Sequence, residues 1–384
     1  MSVADVERIV KTRYAAGAKK LSADLCCPID YDPRYLEVIP DEVLERDYGC
    51  GDPSRHLESG ETVLDLGSGC GKICFIASQV VGPTGRVIGV DMTTEMLDVA
   101  RRNEPIVADR LGYTNIEFRR GRIQDLALDL DQLDALLAAH PVTNSEDLLA
   151  AEAMADELRR DQPMIPSGSI DVVVSNCVLN LVEHAHREKL FAEIFRVLKK
   201  GGRAVISDIV SDEPVPLHLQ RDPEFWSGCI SGALTESGFL EAFESVGFHG
   251  LRILERQTEP WKTVEGIEFR SLTLEAFKGK QGPCLERNQA VIYRGPFKRV
   301  LDDDDHELER GKRYAVCDKT FQLYQREPYA GSFEFVAPRR PIALADAEPF
   351  ACDRARRRDP RETKGEDYNA TTEPIGACGP GDCC

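Results

Sequence analysis

A short apolar run that ends beside an acidic residue and breaks into alternating glycines constrains this chain more than any other feature. Thr62-Val63-Leu64-Asp65-Leu66 leads into Gly67-Ser68-Gly69-Cys70-Gly71, and residues 73–81 then repeat with helical period. Glycines at such a turn allow the chain to reverse tightly and let backbone approach a ligand closely. The same strand-turn-helix rhythm continues. Residues 86–90 and 116–119 read as strands with a helix over 94–102 between them, and 170–175 as a strongly β-branched fourth strand. A long helix follows through Val197-Leu198, closed by Lys199-Lys200-Gly201-Gly202 as its C-terminal carbonyls favour, before a fifth strand over 203–207. Alternation of this kind predicts an α/β doubly wound parallel sheet with helices on both faces.

Around this Rossmann-like unit the pattern changes. Residues 1–60 read as a helical lead carrying the Cys26-Cys27-Pro28 turn and Tyr48-Gly49-Cys50-Gly51, and residues 61–255 as the ligand-binding domain. Two acidic, Leu/Ala-rich helical patterns, over 129–139 and 145–160, form an insertion spanning 127–165. Short strand-like runs at 269–277, 289–293 and 314–316 suggest a small mixed α+β domain over 256–338. From 339 to 384, Pro, Arg and acidic residues dominate without period, which predicts a disordered tail ending in Cys378, Cys383 and Cys384. Asp302 to Asp305 reads as a solvated turn, since it lacks the alternating ligand spacing of a calcium loop.

Composition narrows the partners. A chain of 384 residues with 42% hydrophobic and 30% charged residues buries a substantial core, and its formal charge of -18 argues against a nucleic-acid phosphate partner. No apolar stretch reaches the length of a membrane span, and no basic-led apolar run opens the chain, so a soluble cytoplasmic protein is expected. Thirteen cysteines spread over such a chain point to free thiols, soft-ion ligation or transient redox pairs rather than a static disulfide framework. Cys70 and Cys74 fall where a first helix buries small residues, so packing is the reading for both.

The spacing Gly67-x-Gly69-x-Gly71 is shorter than the dinucleotide loop, which seats a pyrophosphate on a helix N-terminus. S-adenosylmethionine has no phosphate; it needs room for a ribose and a path for its methionine tail past the first strand. Asp65 suits its sulfonium and ammonium charges. Asp91, about 20 residues past the glycines, is placed to take the ribose hydroxyls, with Met92 packing on adenine. After the third strand, Arg122, Ile123 and Gln124 lie where the adenine amino group finds acceptors, and Asn176 ends the fourth strand at the same crevice. All these signals in register across one βαβ pattern point to S-adenosylmethionine as cofactor, with no structural metal.

The acceptor side is marked by cysteines. Ser175-Asn176-Cys177 ends the fourth strand next to the switch point, and Cys229 lies on a segment expected to cover that crevice, after a Trp226-containing helix. Core filling explains either cysteine taken singly. A catalytic nucleophile would want a paired base, but His184 and His186 begin a helix and read as solvated.

Taken together, a set of stretches resembles the arsenite methyltransferase family: Tyr48-Gly49-Cys50-Gly51, the Leu64 to Gly69 turn, Gly89-Val90-Asp91-Met92-Thr93, Val174-Ser175-Asn176-Cys177-Val178-Leu179-Asn180, and Trp226-Ser227-Gly228-Cys229-Ile230. The Lys20-Leu21-Ser22-Ala23-Asp24-Leu25 lead before Cys26 and Cys27 is similar too, and the resemblance spans residues 15–255. It implies a class I methyltransferase fold in which Cys177, Cys229 and Cys50 ligate As(III) as three sulfurs, leaving the arsenic lone pair facing the methyl donor. It further implies that Cys26 or Cys27, with Cys27 preferred, pairs transiently with Cys50. Expected partners are arsenite as its glutathione conjugate and glutathione or thioredoxin as reductant, with no nucleic acid and no membrane, and the chain is expected to be a monomer. The insertion is longer than the family pattern predicts and is a candidate cap for the cofactor mouth or a partner contact. Two rivals remain: methylation of a small organic acceptor such as a sterol or quinone, and a thiol-based arsenic binder without turnover.

Overall fold

The computed structural model describes residues 3–19, 29–46, 48–353 and 355–372. Cys26, Cys27, Cys378, Cys383 and Cys384 lie outside them. The chain divides into two compact units, Met1–Gly279 and Lys280–Cys384.

In the first unit, α1 (Val3–Lys19) and two single turns, α2 (Pro33–Leu36) and α3 (Asp41–Leu44), precede the sheet. Strands β1 (Thr62–Leu66), β2 (Arg86–Asp91), β3 (Ile116–Arg120), β4 (Ile170–Asn176) and β5 (Leu198–Ser211) alternate with α4 (Lys72–Val81), α5 (Thr94–Leu111), α6 (Leu130–Ala139), α7 (Ser145–Asp161) and α8 (Arg187–Val197). After β5 come α9 (Leu217–Gln220), α10 (Pro223–Ser227), β6 (Leu234–Thr235), α11 (Glu236–Glu244), β7 (His249–Arg256), β8 (Lys262–Val264) and β9 (Ile267–Phe277). The sheet runs β3-β2-β1-β4-β5-β9-β7, its first five strands parallel and β9 antiparallel to both neighbours. β1 therefore sits at the switch point, between β2 and β4. Its Val63, Leu64 and Leu66 are buried on both faces, as a central parallel strand requires. Among the described residues no helix is long and apolar enough to cross a membrane.

Three sequence expectations change here. The run over 269–277 is no part of a small C-terminal domain. Its residues pair along β5, from Arg203↔Phe277 to Ser211↔Phe269, covering an edge that would otherwise be bare, so the unit boundary falls after Gly279 rather than at 255. Lys199 to Gly202 do not close a helix. Leu198 is already extended, and Gly201, at φ 89°, donates its N–H to the Lys278 carbonyl inside the sheet. The residues after 339 are not a structureless tail as far as 372. Glu348–Pro349 pairs with Leu285–Glu286, Arg356–Arg357 pairs with Tyr314 and Ala315, and Pro360–Lys364 is a capped helical turn. The fully buried Arg358 side chain fixes this segment by ion-pairing with Glu286 and Glu362.

The second unit also holds a four-stranded antiparallel sheet over its own apolar cluster, which includes Val291, Tyr293, Tyr314, Phe321 and Phe333, a hairpin pairing Arg299–Leu301 with Glu307–Glu309, and the helical turn Asp318–Leu323. Asp302 is not solvated. It accepts hydrogen bonds from the Asp304 and His306 backbone amides and from the His306 ring, and its side chain is 8% exposed.

Candidate functional site

A cleft of about 1120 Å³, continuous with solvent, opens over the carboxyl ends of β1, β2 and β4. The glycine turn forms its floor. Gly67 and Ser68 both donate to the Val90 carbonyl, at 2.8 and 3.0 Å, which ties the turn to β2. Gly69 has φ 52°, and a Cβ there would meet nothing within 4 Å, so its backbone faces the open cleft. Asp91 at the end of β2 braces the turn from the other side: Oδ2 accepts the Gly69 N–H at 3.0 Å and Oδ1 the Thr93 N–H at 2.7 Å.

Two carboxylates converge here. Burial pushes Asp65 up to about 7; a hydrogen bond from Cys74 opposes this and the Asp91 charge adds to it. Burial also raises Asp91, against the hydrogen bonds from Thr93 and Gly69. A cofactor carrying a sulfonium and an ammonium favours the ionised form of both groups. Ser68 Oγ is buried against the cleft with no hydrogen-bond partner, the kind of unmatched polar atom a ligand completes. The residues present thus fit S-adenosylmethionine.

Of the residues expected to bind cofactor, Asp65, Gly67, Ser68, Gly69, Asp91, Met92, Ile123, Gln124 and Asn176 all line the cleft. Gly71 and Arg122 do not. Gly71 caps α4 at φ 90° and packs toward Phe118, while Arg122 turns away to ion-pair with Glu7 at 2.8 Å. Glu7 also holds the Gln124 amide at 3.1 Å, so α1 closes one wall of the cleft together with Val10 and Tyr14. Sequence reasoning missed that wall. The amphipathic pattern of α1 says that it packs, not what it packs over. No residue of the 127–165 insertion lines the cleft, which removes its expected role as a cap.

Beyond the cofactor floor the cleft runs into the cysteines. Asn176 also has a set of partners on the cysteine side. Its Oδ1 accepts the Cys50 and Gly51 amides at 2.8 and 3.0 Å, and its Nδ2 donates to the Gly51 carbonyl at 2.7 Å. The Gly49-Cys50-Gly51 loop is thereby clamped onto the end of β4, so closely that a Cβ on Gly49 would lie 2.1 Å from Asn176 Nδ2. Trp226, buried on α10, donates its indole N–H to the Leu181 carbonyl at 3.2 Å, which pins the Cys229 segment over the loop after β4.

Cys177 and Cys229 both adopt left-handed backbone conformations, with φ 64° and 61°, a costly choice for non-glycine residues that held strain at a site explains. Cys229 Sγ donates to the Cys177 carbonyl at 3.2 Å. The Cys50 and Cys177 sulfurs and an Asp208 carboxylate oxygen lie within 4.8 Å of one another. Cys177 hydrogen-bonds to both other cysteines: the bond to Cys229 lowers its thiol, while the bond to Cys50, burial and the Asp208 charge hold it well above its ordinary value. Cys229 is raised by its bond to Cys177 and by burial, against the Tyr14 hydroxyl. Cys177 and Cys229 are therefore neutral thiols at rest, and neither is an activated nucleophile.

Cys70 and Cys74 are buried as expected. Cys70 reaches the Met96 sulfur at 3.3 Å, and burial raises it to about 12. His184 is exposed, with its ring edge-on to Trp226. His186 departs from the solvated reading: it lines the cleft with a buried, unpartnered Nδ1.

A methyltransferase-domain model matches residues 57–155 and 152–259, and a model for a domain of unknown function matches 280–368. An arsenite methyltransferase of Aquipseudomonas alcaligenes is 32% identical over 332 residues, covering 82% of this chain and 86% of the relative. The Homo sapiens arsenite methyltransferase is 28% identical over 353 residues, covering 86% and 84%. The crystal structure of an arsenic (III) S-adenosylmethionine methyltransferase from Chlamydomonas reinhardtii is similar with a TM-score of 0.55 and 27% identity, over 84% of this chain and 99% of that one.

Proposed function

The chain belongs to the arsenite methyltransferase family, and from that premise we propose that Cys50, Cys177 and Cys229 bind trivalent arsenic as three thiolates and aim its lone pair at the methyl donor. Its activity is the S-adenosylmethionine-dependent methylation of arsenite. The observation that carries the three-thiolate reading is the convergence of these sulfurs in one apolar cluster, two of them on strained backbone.

Neutral thiols suit neutral arsenous acid. Each thiol proton leaves with an arsenic hydroxyl as water, so three As–S bonds form, three waters depart and no charge is stranded in the apolar pocket. A glutathione conjugate of arsenite reacts in the same way, each exchange returning one glutathione. Bound in the cleft, S-adenosylmethionine supplies an electrophilic methyl on its sulfonium. Cys50, Cys177 and Cys229 would hold arsenic with its lone pair toward that methyl, so that transfer would leave S-adenosylhomocysteine in the cleft and the positive charge on arsenic, oxidised by two electrons. Asp208 is raised by burial to about 6 and lies within 4.8 Å of Cys177, placed to stabilise that charge. Two of the three thiolates would return the electrons by leaving as a disulfide, water taking a vacated arsenic position and releasing the proton that carries off the positive charge, and glutathione or thioredoxin would then reduce the disulfide. Cys26 or Cys27 joins that step by resemblance alone. We place the chain in the reducing cytoplasm on the same chemistry.

Chromatographic speciation of arsenic after incubation with arsenite, S-adenosylmethionine and glutathione tests this. Methylated arsenic is expected from the unsubstituted chain. Cys177→Ser should lower turnover by at least about 100-fold, because a misplaced reactant loses most of its positioning advantage, while cofactor affinity stays unchanged. Arsenite methylation that survives Cys177→Ser or Cys229→Ser would return the substituted cysteine to core filling and overturn the three-thiolate reading.

A further inference from the structure

The second unit carries a cysteine cluster of its own. Cys284 precedes the strand Leu285–Glu286, Cys352 follows its partner strand Glu348–Pro349, and the Phe350 amide donates to the Cys284 carbonyl at 2.9 Å. Cys317 caps the helical turn Asp318–Leu323, which an ion pair between Arg287 and Asp318, at 2.7 Å, holds against the same strand. Three distant segments thus deliver three sulfurs within 4.8 Å of one another, none of them in a disulfide. Cys317 is buried and its neighbours are half-buried, so the cluster keeps partial access to solvent through Cys284 and Cys352.

The donor set decides the ligand class. Three thiols and no oxygen donor select a soft ion. A tetrahedral cation such as zinc wants a fourth protein ligand in a closed site, and among the described residues none joins these three. His306 approaches, but its Nδ1 is committed to Asp302 at 2.9 Å and its Nε2 to the Cys352 carbonyl at 3.0 Å. A pyramidal trivalent ion with a lone pair needs three sulfurs and no more.

We propose that Cys284, Cys317 and Cys352 form a second site for trivalent arsenic, separate from the catalytic cysteines. The choice of arsenic among soft trivalent ions rests on the function proposed above; the three-sulfur set stands on its own geometry. Binding releases three waters for three As–S bonds and changes no oxidation state. The site holds arsenic without methylating it, since none of its three cysteines is among the residues lining the cofactor cleft.

The test uses the full chain with Cys378, Cys383 and Cys384 changed to serine, reduced, titrated with inorganic arsenite and weighed by native mass spectrometry. Cys284→Ser and Cys352→Ser in this background should each bind one arsenic fewer while keeping their turnover. A Cys177→Ser/Cys229→Ser chain should lose turnover yet retain the arsenic that Cys352→Ser removes, with three sulfur neighbours by X-ray absorption at the arsenic edge. That spectrum also decides the matter if a substitution in the second unit impairs folding. The proposal is overturned by unchanged stoichiometry in Cys284→Ser and Cys352→Ser, by zinc displacing arsenite in competition, or by a Cys284–Cys352 disulfide that persists in excess glutathione. Failure of methylation with this stoichiometric loss intact sinks the catalytic reading and leaves the site standing.

Discussion

Burial makes Asp65 the most informative single carboxylate in the cleft. Its folded-state value of about 7 lies above its ordinary 3.8, so its contribution to stability is complete below about pH 3.8 and is lost as the pH rises through 7. The gap corresponds to roughly 4 kcal/mol at most, since each tenfold step is worth about 1.4 kcal/mol. Asp65→Asn removes that loss. Melting of the cofactor-free variant should therefore gain on the unsubstituted chain as the pH is raised from about 5 to about 8, while its S-adenosylmethionine affinity falls. A melting difference that is flat or shrinks over that range would refute the assignment. The cysteines show the converse economy. Cys177 and Cys229 keep left-handed backbone that glycine would adopt more cheaply, and the thiol is the property a glycine lacks.

The chain enters and leaves the helical insertion at one point beside the sheet. The Met164 and Ile165 amides donate to the Ala127 and Leu126 carbonyls, both at 2.9 Å, so the chain leaves and returns side by side. Between them α6 and α7 pack on a cluster of their own, Leu128, Ala155 and Leu158. Its ties to the body are charged pairs, Arg159 with Asp125 and Arg101 and Arg120 with Asp131, each worth about 0–1 kcal/mol where solvent reaches it. Replacing residues 129–161 with a short Gly/Ser linker should lower the melting point by only a few degrees and leave cofactor affinity within about twofold, because loop insertions cost little when their ends already meet. Calorimetry and a cofactor titration check both; a tenfold loss of affinity would show that the insertion shapes the cleft after all. By contrast α1, although also outside the βαβ core, supplies Glu7, Val10 and Tyr14 to the cleft wall.

At the scale of the whole molecule, every residue lining the cleft and all three proposed catalytic cysteines belong to the first unit, and its apolar clusters share no residue with that of the second. A fragment ending at Gly279 should therefore fold, bind S-adenosylmethionine and methylate arsenite with a rate within about tenfold of the full chain, since a unit with its own core is an independent folding unit. Soluble expression, a cofactor titration and arsenic speciation measure this, and a fragment that folds without turnover would assign a catalytic part to the second unit. The alternation of elements, the glycine turn and Asp91 at the end of β2 were legible in the chain itself. Strand and helix periods, turn chemistry and the position of an acidic residue are local, and a local pattern survives in a one-dimensional reading. Contacts between distant segments do not. That β9 completes the main sheet, that Asn176 clamps the Cys50 loop, that Glu7 takes Arg122 away from the cofactor, and that Cys284, Cys317 and Cys352 meet were all decided by tertiary packing. The glycine turn and its two carboxylates needed only neighbours in sequence to be recognised, whereas a sulfur becomes a ligand through what stands beside it in space.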